Sequence, residues 1–466
     1  MCTTEGVPII LKELLSTDAG GFIIAFMLIK LINNIILLFC MKEFPYKILI
    51  LTANIGKFGE TDGVVTTYQN LIKELDKLEI DTDVITYGPK DESEKKGTVT
   101  IFTHKSIIPF KIDPKRQFDF LISLGRSVKI ANLRDYDIII SGTPDPLGFI
   151  GLNLAKKNKI PFLTFYHTAL DDYVGTRVKK VGINLSKDFT TSFYKLYSKN
   201  IKNFNTKKYY KENKKRIKRD VKILNKNLKN ISTKMGKFAG KNMIRWLKNY
   251  FNKSNLILAP SNHTKKFVES IFKPKVSILA RGVDIGKFNP KFRKKENKKP
   301  KALYVGRVSP EKNLKLLVKI FSKIKNIDLE IVGDGAYLKE MKKELPNAIY
   351  KGSLSGKELS KAYANADFFV FPSKFDTFGN VVQEAFASGI PAIVTDKKGP
   401  KDIVKHNSTG FIAKDDKEFE KYVLKLVKEE KLRKKMGKAA REYAKQHTWK
   451  DITLKLLDYC KELIEK

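Results

Sequence analysis

Residues 371–391 have the sequence FPSKFDTFGNVVQEAFASGIP, which predicts the fold more clearly than any other stretch of the chain. A short apolar run leads into a turn that contains glycine, and apolar residues at helical spacing follow until Gly389 and Pro391. Asp376 precedes the turn, and Glu384 follows eight residues later within the predicted helix. A strand, a turn and a helix in this order are typical of a βαβ unit and favour a parallel α/β sheet.

Residues 305–313, VGRVSPEKN, show the same change from strand to helix and add two cations. A strand is predicted to end at Val305, and the Ser-Pro-Glu sequence that follows is typical of a helix start. Arg307 and Lys312 therefore flank a predicted helix N-terminus, where free backbone N–H groups attract anions. A diphosphate leaving group needs such neutralisation as its bond to a sugar breaks. On these residues alone, a basic side chain at an ordinary turn remains the alternative.

The turn between the two acids also suits a bound sugar nucleotide. An ionised carboxylate accepts strong hydrogen bonds from sugar and ribose hydroxyls, often with both oxygens. If the helix starts near Gly379, the backbone N–H groups of Thr377, Phe378, Gly379 and Asn380 are offered to a phosphate. The alternative is a plain helix cap in which Asp376 complements the helix dipole.

The first half of the chain repeats the alternation of short β-rich runs with helical or turn segments. With 466 residues the chain exceeds one ordinary core, so two domains are expected, and 42% hydrophobic residues are enough to fill them. The alternation predicts a Rossmann-like domain with a parallel sheet. The segments that carry it are residues 47–55, 64–78, 81–88, 136–157 and 160–168.

Four segments, in their order along the chain, resemble the donor half of the family-4 retaining glycosyltransferases, whose fold is called GT-B. They are VGRVSPEKN, IVGDGAYL, DTFGNVVQEAFASGIPAIV and STGFIA. The resemblance is close from about Leu256 to Gly410 and looser in the first domain. It implies an α/β fold of two Rossmann-like domains that face each other across a cleft. It also implies that the final segment, HTWKDITLKLLDYCKEL, is a helix that crosses back to the first domain.

The resemblance assigns roles to the residues already singled out. The family has an acid, seven residues and a second acid, usually both Glu, and Asp376 and Glu384 hold those places. Asp376 would contact hydroxyls of the donor sugar, and Glu384 the ribose of the nucleotide. Arg307 and Lys312 match the family's diphosphate clamp. Aspartate departs from the usual first acid, although the DTFGN form is familiar among lipid- and mannosyl-type members.

Two segments of the first domain complete the predicted site. GETDGVV, around Gly63, stands where the family has a glycine-rich loop whose backbone approaches the donor phosphate; the alternative is a tight turn. FYHT, with His167 at the end of a strand, resembles the family's HT motif near the reacting sugar. His167 would bind a sugar hydroxyl or stabilise positive charge at the anomeric carbon, and the alternative is a structural histidine. We therefore predict His167 and Asp376 as catalytic and the remaining residues as donor-binding.

The charge of the chain points to an anionic partner. The formal net charge is +40, and residues 176–250 carry 23 Lys and Arg against three acids, a net of +20. Apolar residues recur there at helical intervals, which predicts a pair of basic amphipathic helices inserted in the first domain. Membrane-surface binding and a solvated helical hairpin remain equal alternatives, as does a generally lysine-rich composition.

The first forty residues form a hydrophobic extension. Residues 21–40 are about long enough to span a bilayer, but Lys30, Asn33 and Asn34 weaken that interpretation. A misassigned start is the alternative, since the sequence from Met41 resembles a natural beginning. If the extension is genuine, it is a single N-terminal anchor that leaves the following domain in the cytoplasm. The three cysteines are far apart, which predicts neither disulfides nor a zinc site and fits a reducing compartment.

The predicted organisation is an extension at 1–40, an acceptor domain at 41–275 including the insertion at about 176–250, a donor domain at 276–447 and a final helix at 448–466. The predicted reaction is retaining transfer of a hexose from a UDP-glucose or GDP-mannose type of donor, and a membrane glycerolipid is the predicted acceptor. A soluble transferase of capsule, cell-wall or storage glycans is the alternative, and a nucleic-acid-binding protein is a remote one. We expect no cofactor and no metal, because lysine and arginine can neutralise the diphosphate. The protein is expected at the inner face of a membrane, without nucleic acid.

Overall fold

The fold is described from a computed structural model of the chain. The described residues are 44–53, 55–56, 63–105, 109–113, 116–119, 135–167, 244–294 and 297–466. Three predicted features lie outside these residues, namely the hydrophobic extension 1–40, the loop that precedes Gly63 and the basic segment 176–250 up to residue 243.

The first half of the chain forms an eight-stranded sheet in the order β10-β9-β8-β7-β1-β2-β4-β3. Every neighbouring pair is parallel except β3 and β4, which are antiparallel, and β5 and β6 form a separate antiparallel hairpin. The strands are β1 (Ile48–Leu51), β2 (Thr82–Gly88), β3 (Glu92–Lys96), β4 (Val99–Lys105), β5 (Pro109–Asp113), β6 (Arg116–Asp119), β7 (Ile138–Ser141), β8 (Phe162–Phe165), β9 (Leu256–Ala259) and β10 (Lys275–Ile278).

Helices cover both faces of this sheet, which explains why its central strands are apolar throughout. Alternate residues of β1 face opposite cores: Ile48 and Ile50 lie in one, Leu49 and Leu51 in the other. The helices of this half are α1 (Gly63–Lys77), α2 (Pro146–Asn158), α3 (residues 244–251) and α4 (Asn262–Ile271).

The second half forms a six-stranded, entirely parallel sheet in the order β13-β12-β11-β14-β15-β16. Its strands are β11 (Lys301–Val305), β12 (Asp328–Val332), β13 (Ile349–Gly352), β14 (Phe368–Phe371), β15 (Ala392–Thr395) and β16 (Gly410–Ala413). Its helices are α5 (Lys315–Phe321), α6 (Leu338–Glu344), α7 (Gly356–Ala364), α8 (Asn380–Ala387), α9 (Pro400–Ile403), α10 (Asp416–Lys428) and α11 (Glu430–Lys445). Two parallel α/β sheets of this kind confirm the predicted pair of Rossmann-like domains.

The last helix, α12 (Trp449–Ile464), packs on the sheet of the first half. A capping box between Thr448 and Asp451 starts the helix, and its apolar side belongs to the same core as β1 and α1. The chain thus passes between the domains twice, and the two passages lie side by side, since Val283 N–H donates to the carbonyl of His447 at 3.0 Å. A Cβ at Gly282 would lie 2.5 Å from the Cα of Trp449, so this close approach requires glycine.

The segment after β11 differs from the predicted helix start. Pro310–Lys312 form a single 3-10 turn, and Asn313 ends that turn in the left-handed conformation at φ 58°. The helix proper, α5, begins only at Lys315. Proline at the first position favours the turn, while the left-handed Asn313 breaks the helical path. Lys312 therefore lies in a turn ahead of the helix, and its backbone N–H is already bonded to the carbonyl of Ser309.

Candidate active site

The predicted donor residues gather at one edge of the second sheet. Strand β11 lies between β12 and β14, so the strand order reverses at the boundary between β11 and β14. Ligands of open parallel sheets bind at the carboxyl ends of the strands where the order reverses. The loop after Val305 carries Arg307 and Lys312, and the loop after Phe371 carries Asp376. The fold therefore brings the cations and the first acid to the place where a ligand is expected.

Lys312 and Asp376 form a bidentate ion pair across this edge. Lys312 Nζ lies 2.7 Å from Asp376 Oδ1 and 2.8 Å from Oδ2, and the two side chains are only 13% and 23% exposed. The ammonium group also lies 5.6 Å from the ring centre of Phe371. Such a pair holds a cation and an anion in fixed positions at low exposure, where electrostatic interactions are stronger than in bulk water.

Arg307 occupies a more open position on the same loop. Its Nη2 lies 3.5 Å from Glu311 Oε1, and both side chains are close to half exposed. The buried Tyr304 hydroxyl donates to the carbonyl of Arg307 at 2.8 Å and fixes the loop backbone. An exposed pair of this kind contributes little to stability, so the guanidinium can exchange Glu311 for a ligand at little cost.

The turn before α8 presents unused backbone donors. Gly379 has φ 103°, a left-handed value that favours glycine, and it precedes the helix without a side-chain cap. In the described part of the chain, the N–H groups of Thr377, Phe378, Gly379 and Asn380 make no backbone hydrogen bond. The side chain of Phe378 belongs to the hydrophobic core, so this residue can offer a ligand only its backbone. Free backbone donors at a helix N-terminus suit an anion, and the anion site at this turn stays a prediction.

Glu384 lies one turn further along α8 and is partly buried. The hydroxyl of Tyr363, from α7, donates to Glu384 Oε2 at 2.7 Å. Burial raises the pKa of Glu384, while the Tyr363 hydroxyl and the charge of Lys287 act in the opposite direction. Since Asn380 and Glu384 are four residues apart, both face the same side of the helix.

Thr377 connects this turn to the first domain. Its hydroxyl donates to the main-chain carbonyl of His167 at 3.0 Å, and its own carbonyl accepts from Ser261 Oγ at 2.9 Å and from Thr264 Oγ1 at 3.3 Å. Gly63 approaches the other end of the turn, because a Cβ there would lie 3.4 Å from the amide nitrogen of the Asn380 side chain. The N-termini of α1 and α8 therefore meet across the cleft.

The ring of His167 is enclosed and bonded at both nitrogens. Arg281 Nη2 contacts Nδ1, and the Tyr68 hydroxyl lies 2.9 Å from Nε2. Arginine can only donate, so Nδ1 is the acceptor and the proton of the neutral ring lies on Nε2. Burial, and then the charge of Arg281, hold the pKa of His167 well below its ordinary value. The side chain is therefore a neutral imidazole stacked on Phe165, with ring centres 5.0 Å apart.

The structure thus links most of the predicted site residues, directly or through one neighbour. A chain of contacts runs from Lys312 through Asp376 and Thr377 to His167, while Arg307 stands apart on its own loop. Sequence reasoning missed Tyr68, Arg281 and Tyr363, which bond the predicted residues from distant parts of the chain. Only the arginine had a local signal, as a charged residue directly after an apolar strand in KVSILARGVD.

The described part of the chain shows two further features that bear on the predictions. None of its helices is both long enough and apolar enough to cross a bilayer. None of its groups of three or more His, Cys, Asp or Glu is arranged to hold a metal ion. The expectation that no metal takes part stays a prediction.

Two family models match the chain, one in each half. The model described as Glycosyl transferases group 1 matches residues 287–443, and the one described as Glycosyltransferase Family 4 matches residues 61–206. The first contains the Lys312–Asp376 pair and the second contains Gly63 and His167. The chain belongs to the family-4 glycosyltransferases. Its two sheets have the GT-B arrangement that this family membership predicts.

Curated relatives of this family-4 chain resemble it mainly over part of their length. The sulfoquinovosyl transferase of Arabidopsis thaliana is 36% identical over 38% of this chain and 38% of its own length. A GDP-mannose-dependent alpha-mannosyltransferase of Mycobacterium tuberculosis is 36% identical over 36% of this chain and 46% of its own. The alpha-monoglucosyldiacylglycerol synthase of Streptococcus pneumoniae is 23% identical over 72% and 68%. The chain thus matches less than half of the first two relatives.

Solved structures share the fold of this family-4 chain over nearly all of it. A sucrose-phosphate synthase from Thermosynechococcus elongatus superposes with a TM-score of 0.64 at 16% identity, covering 90% of this chain and 99% of that one. The Anabaena protein HepE in complex with UDP has a TM-score of 0.60 at 14% identity, covering 90% and 100%. At these identities the likeness establishes the fold alone.

Proposed function

We propose that this protein is a retaining glycosyltransferase that moves a hexose from a nucleoside diphosphate sugar to a membrane glycerolipid. The observation that carries the proposal is the Lys312–Asp376 pair, which lies where the strand order reverses, next to the unused N–H groups of the α8 turn. A cation, an acid and free backbone donors in one place suit a diphosphate joined to a sugar.

Each residue has a proposed task in binding the donor. The diphosphate lies against the N–H groups at the start of α8, with Lys312 and Arg307 neutralising its charge. Asp376 accepts hydrogen bonds from sugar hydroxyls, and Glu384 accepts them from the ribose. Gly63 permits the backbone of the first domain to approach from the opposite side. The proposed donor is of the UDP-glucose or GDP-mannose type. One relative is named a GDP-mannose-dependent mannosyltransferase and another a glucosyldiacylglycerol synthase, which is consistent with either sugar.

Transfer proceeds on one face of the sugar in this proposal. The bond between the anomeric carbon and the diphosphate oxygen breaks, the acceptor oxygen bonds to the same face of that carbon, and the acceptor proton passes to the departing diphosphate. Asp376 is occupied by Lys312, and Glu384 by Tyr363, so neither acid is placed as a free nucleophile. Lys312 and Arg307 stabilise the negative charge that develops on the leaving group.

The proposed lipid acceptor rests on charge and on relatives. Strong positive charge in an insertion of the first domain suits an anionic membrane surface. In the described end of that insertion, Trp246 on α3 is 39% exposed while Leu247 and Phe251 are buried beside it. An exposed tryptophan beside Arg245 and Lys248 is typical of an interfacial anchor. The streptococcal relative is named a glucosyldiacylglycerol synthase, which is consistent with this acceptor.

Sugar transfer by the purified full-length protein tests the proposal. We would offer UDP-glucose and GDP-mannose with and without anionic liposomes that contain diacylglycerol, and repeat the assay with Arg307→Ala and Glu384→Ala. A glycolipid that forms only with liposomes, and is lost in both variants, supports the proposed function. Donor hydrolysis without a lipid product contradicts the lipid acceptor and favours a soluble glycan. No turnover of either donor contradicts the proposal as a whole.

A further inference from the structure

Arg281 is a buried cation without a carboxylate partner in the described part of the chain. It lies just beyond β10, where the chain first passes from one domain to the other, and it is 5% exposed. No described acid forms an ion pair with it; its hydrogen bond goes to the neutral ring of His167. Burial lowers the pKa of Arg281 to about 10, and a smaller effect of Tyr68 opposes that change. The side chain is still a cation at neutral pH, and a buried unpaired charge is costly.

Other partly buried arginines of the chain are bonded far more completely. Arg441 donates to the carbonyls of Ile285, Phe288 and Ala387, which joins the passage between the domains to the end of α8. Arg293 donates to the carbonyl of Ala366 and to the carboxylate of Asp367. The guanidinium of Arg281 has five N–H donors, but within the described residues only one of its nitrogens makes a hydrogen bond. Arg281 therefore differs from Arg441 and Arg293 because most of its N–H donors have no hydrogen-bond partner within the described residues.

The unused donors of Arg281 are not fully enclosed. None of its nitrogen atoms is among the described side-chain atoms that are both enclosed and unpaired, so the nitrogens that make no bond retain contact with solvent. The partner of Arg281, His167, bonds through its carbonyl to Thr377, and so the guanidinium is one residue away from the α8 turn. A nearly buried cation with unused donors, connected through one residue to a turn with free backbone N–H groups, is suited to an anion with several oxygens.

The first domain contains a second polar group whose hydrogen bonds are incomplete. The hydroxyl of Thr52, at the carboxyl end of β1, is fully buried and has no partner within the described residues. A Cβ at Gly142 would lie 2.7 Å from this hydroxyl and 2.7 Å from that of Tyr68. Thr52 follows β1 and Gly142 follows β7, so this hydroxyl lies where the strand order of the first sheet reverses. Tyr68 lies next to it and is connected through His167 to Arg281. Incomplete satisfaction at such an edge is typical of a ligand site.

We propose that Arg281 binds a phosphate group of a substrate in the cleft, as a third cation beside Arg307 and Lys312. The inference rests on the proposed donor site and adds to it a residue from the passage between the two domains. The phosphate belongs to the donor's diphosphate or to a phosphorylated acceptor. Through its bond to His167, whose carbonyl accepts from Thr377, Arg281 couples phosphate binding to this contact between the domains.

Binding measurements on Arg281→Met distinguish the two sources without requiring turnover. The probes are UDP and GDP, the corresponding monophosphates, and sn-glycerol 3-phosphate against glycerol, all measured by calorimetry. A phosphate on the donor predicts that binding of UDP or GDP falls by about 10- to 100-fold while the monophosphates are unaffected. A phosphate on the acceptor predicts that the nucleotides are unaffected and that the preference for sn-glycerol 3-phosphate over glycerol is lost.

Two further variants keep the test decisive. Arg281→Lys retains the charge and covers the case in which Arg281→Met does not fold; it is expected to show a smaller loss for the same probe. Arg293→Met removes a partly buried cation at the opposite edge of the second sheet and should leave every affinity unchanged. Unchanged affinities in a folded Arg281 variant, or equal losses for all probes, would overturn the inference. Failure of the wild-type protein to bind UDP or GDP would instead count against the proposed function.

Discussion

Replacing Lys312 by methionine tests the ion pair at the centre of the site. The change keeps the length of the side chain but leaves the Asp376 carboxylate, 23% exposed, without its partner. A charged group left unpaired at this depth costs about 1–3 kcal/mol of unfolding free energy. The loss of one charged hydrogen bond to the diphosphate costs about 1.5–3 kcal/mol of binding free energy, which is about a 10- to 150-fold loss of affinity for UDP or GDP.

The assay combines calorimetric titration of UDP, GDP and their monophosphates with urea unfolding of each variant. Lys315→Met is the matched control, because Lys315 is 72% exposed and its ion pair with Glu340, at 3.6 Å, is worth little. Adding Asp376→Asn to Lys312→Met removes the unpaired charge, so stability should partly recover while affinity for the diphosphates stays low. Wild-type affinity of Lys312→Met for the diphosphates would refute the assigned role, and so would an equal loss for the monophosphates.

Three more predictions concern the contacts between the domains and the protonation of Glu384. Gly282→Ala should lower the unfolding free energy by about 1–3 kcal/mol in urea, because its Cβ meets the backbone of Trp449. Gly286→Ala should cost less, because its Cβ would meet only the side chain of Asp284, at 3.3 Å. Thr377→Val should cost about 1 kcal/mol in the same assay, since it removes a hydrogen bond between the domains. Burial raises the pKa of Glu384, so the folded chain holds this proton to higher pH, and stability falls as pH rises from the ordinary 4.5 through the folded value. Glu384→Gln should flatten that fall in calorimetric melting curves; an unchanged pH profile would contradict the assignment.

The parallel sheets were predictable because their signals are local. Buried parallel strands are apolar along their whole length, as in Ile48–Leu51 and Phe368–Phe371, and each is followed by a loop and a helix. The edge strand β3 gave no such signal. The sequence ESEKK of β3 is polar and largely exposed, so neither its composition nor its pattern predicted a strand.

Contacts between residues far apart in the sequence could not be predicted in the same way. The contact of Arg281 with His167 joins residues 114 positions apart, and that of Tyr363 with Glu384 joins two helices. Sequence motifs identify the residues that suit a ligand, but they do not tell which neighbours hold those residues when no ligand is bound. The ring of His167 illustrates the difference, since both of its nitrogens are already used within the protein.

Release of nucleoside diphosphate from a sugar donor tests the central claim most directly. Phosphorus NMR would follow UDP-glucose and GDP-mannose with the purified protein and diacylglycerol liposomes, and proton NMR would give the anomeric configuration of the product. The account predicts that one donor yields its diphosphate together with a product of unchanged configuration, and that Lys312→Met slows the release. Inversion of configuration would contradict transfer on one face of the sugar, and the persistence of both donors would contradict nucleotide-sugar transfer itself.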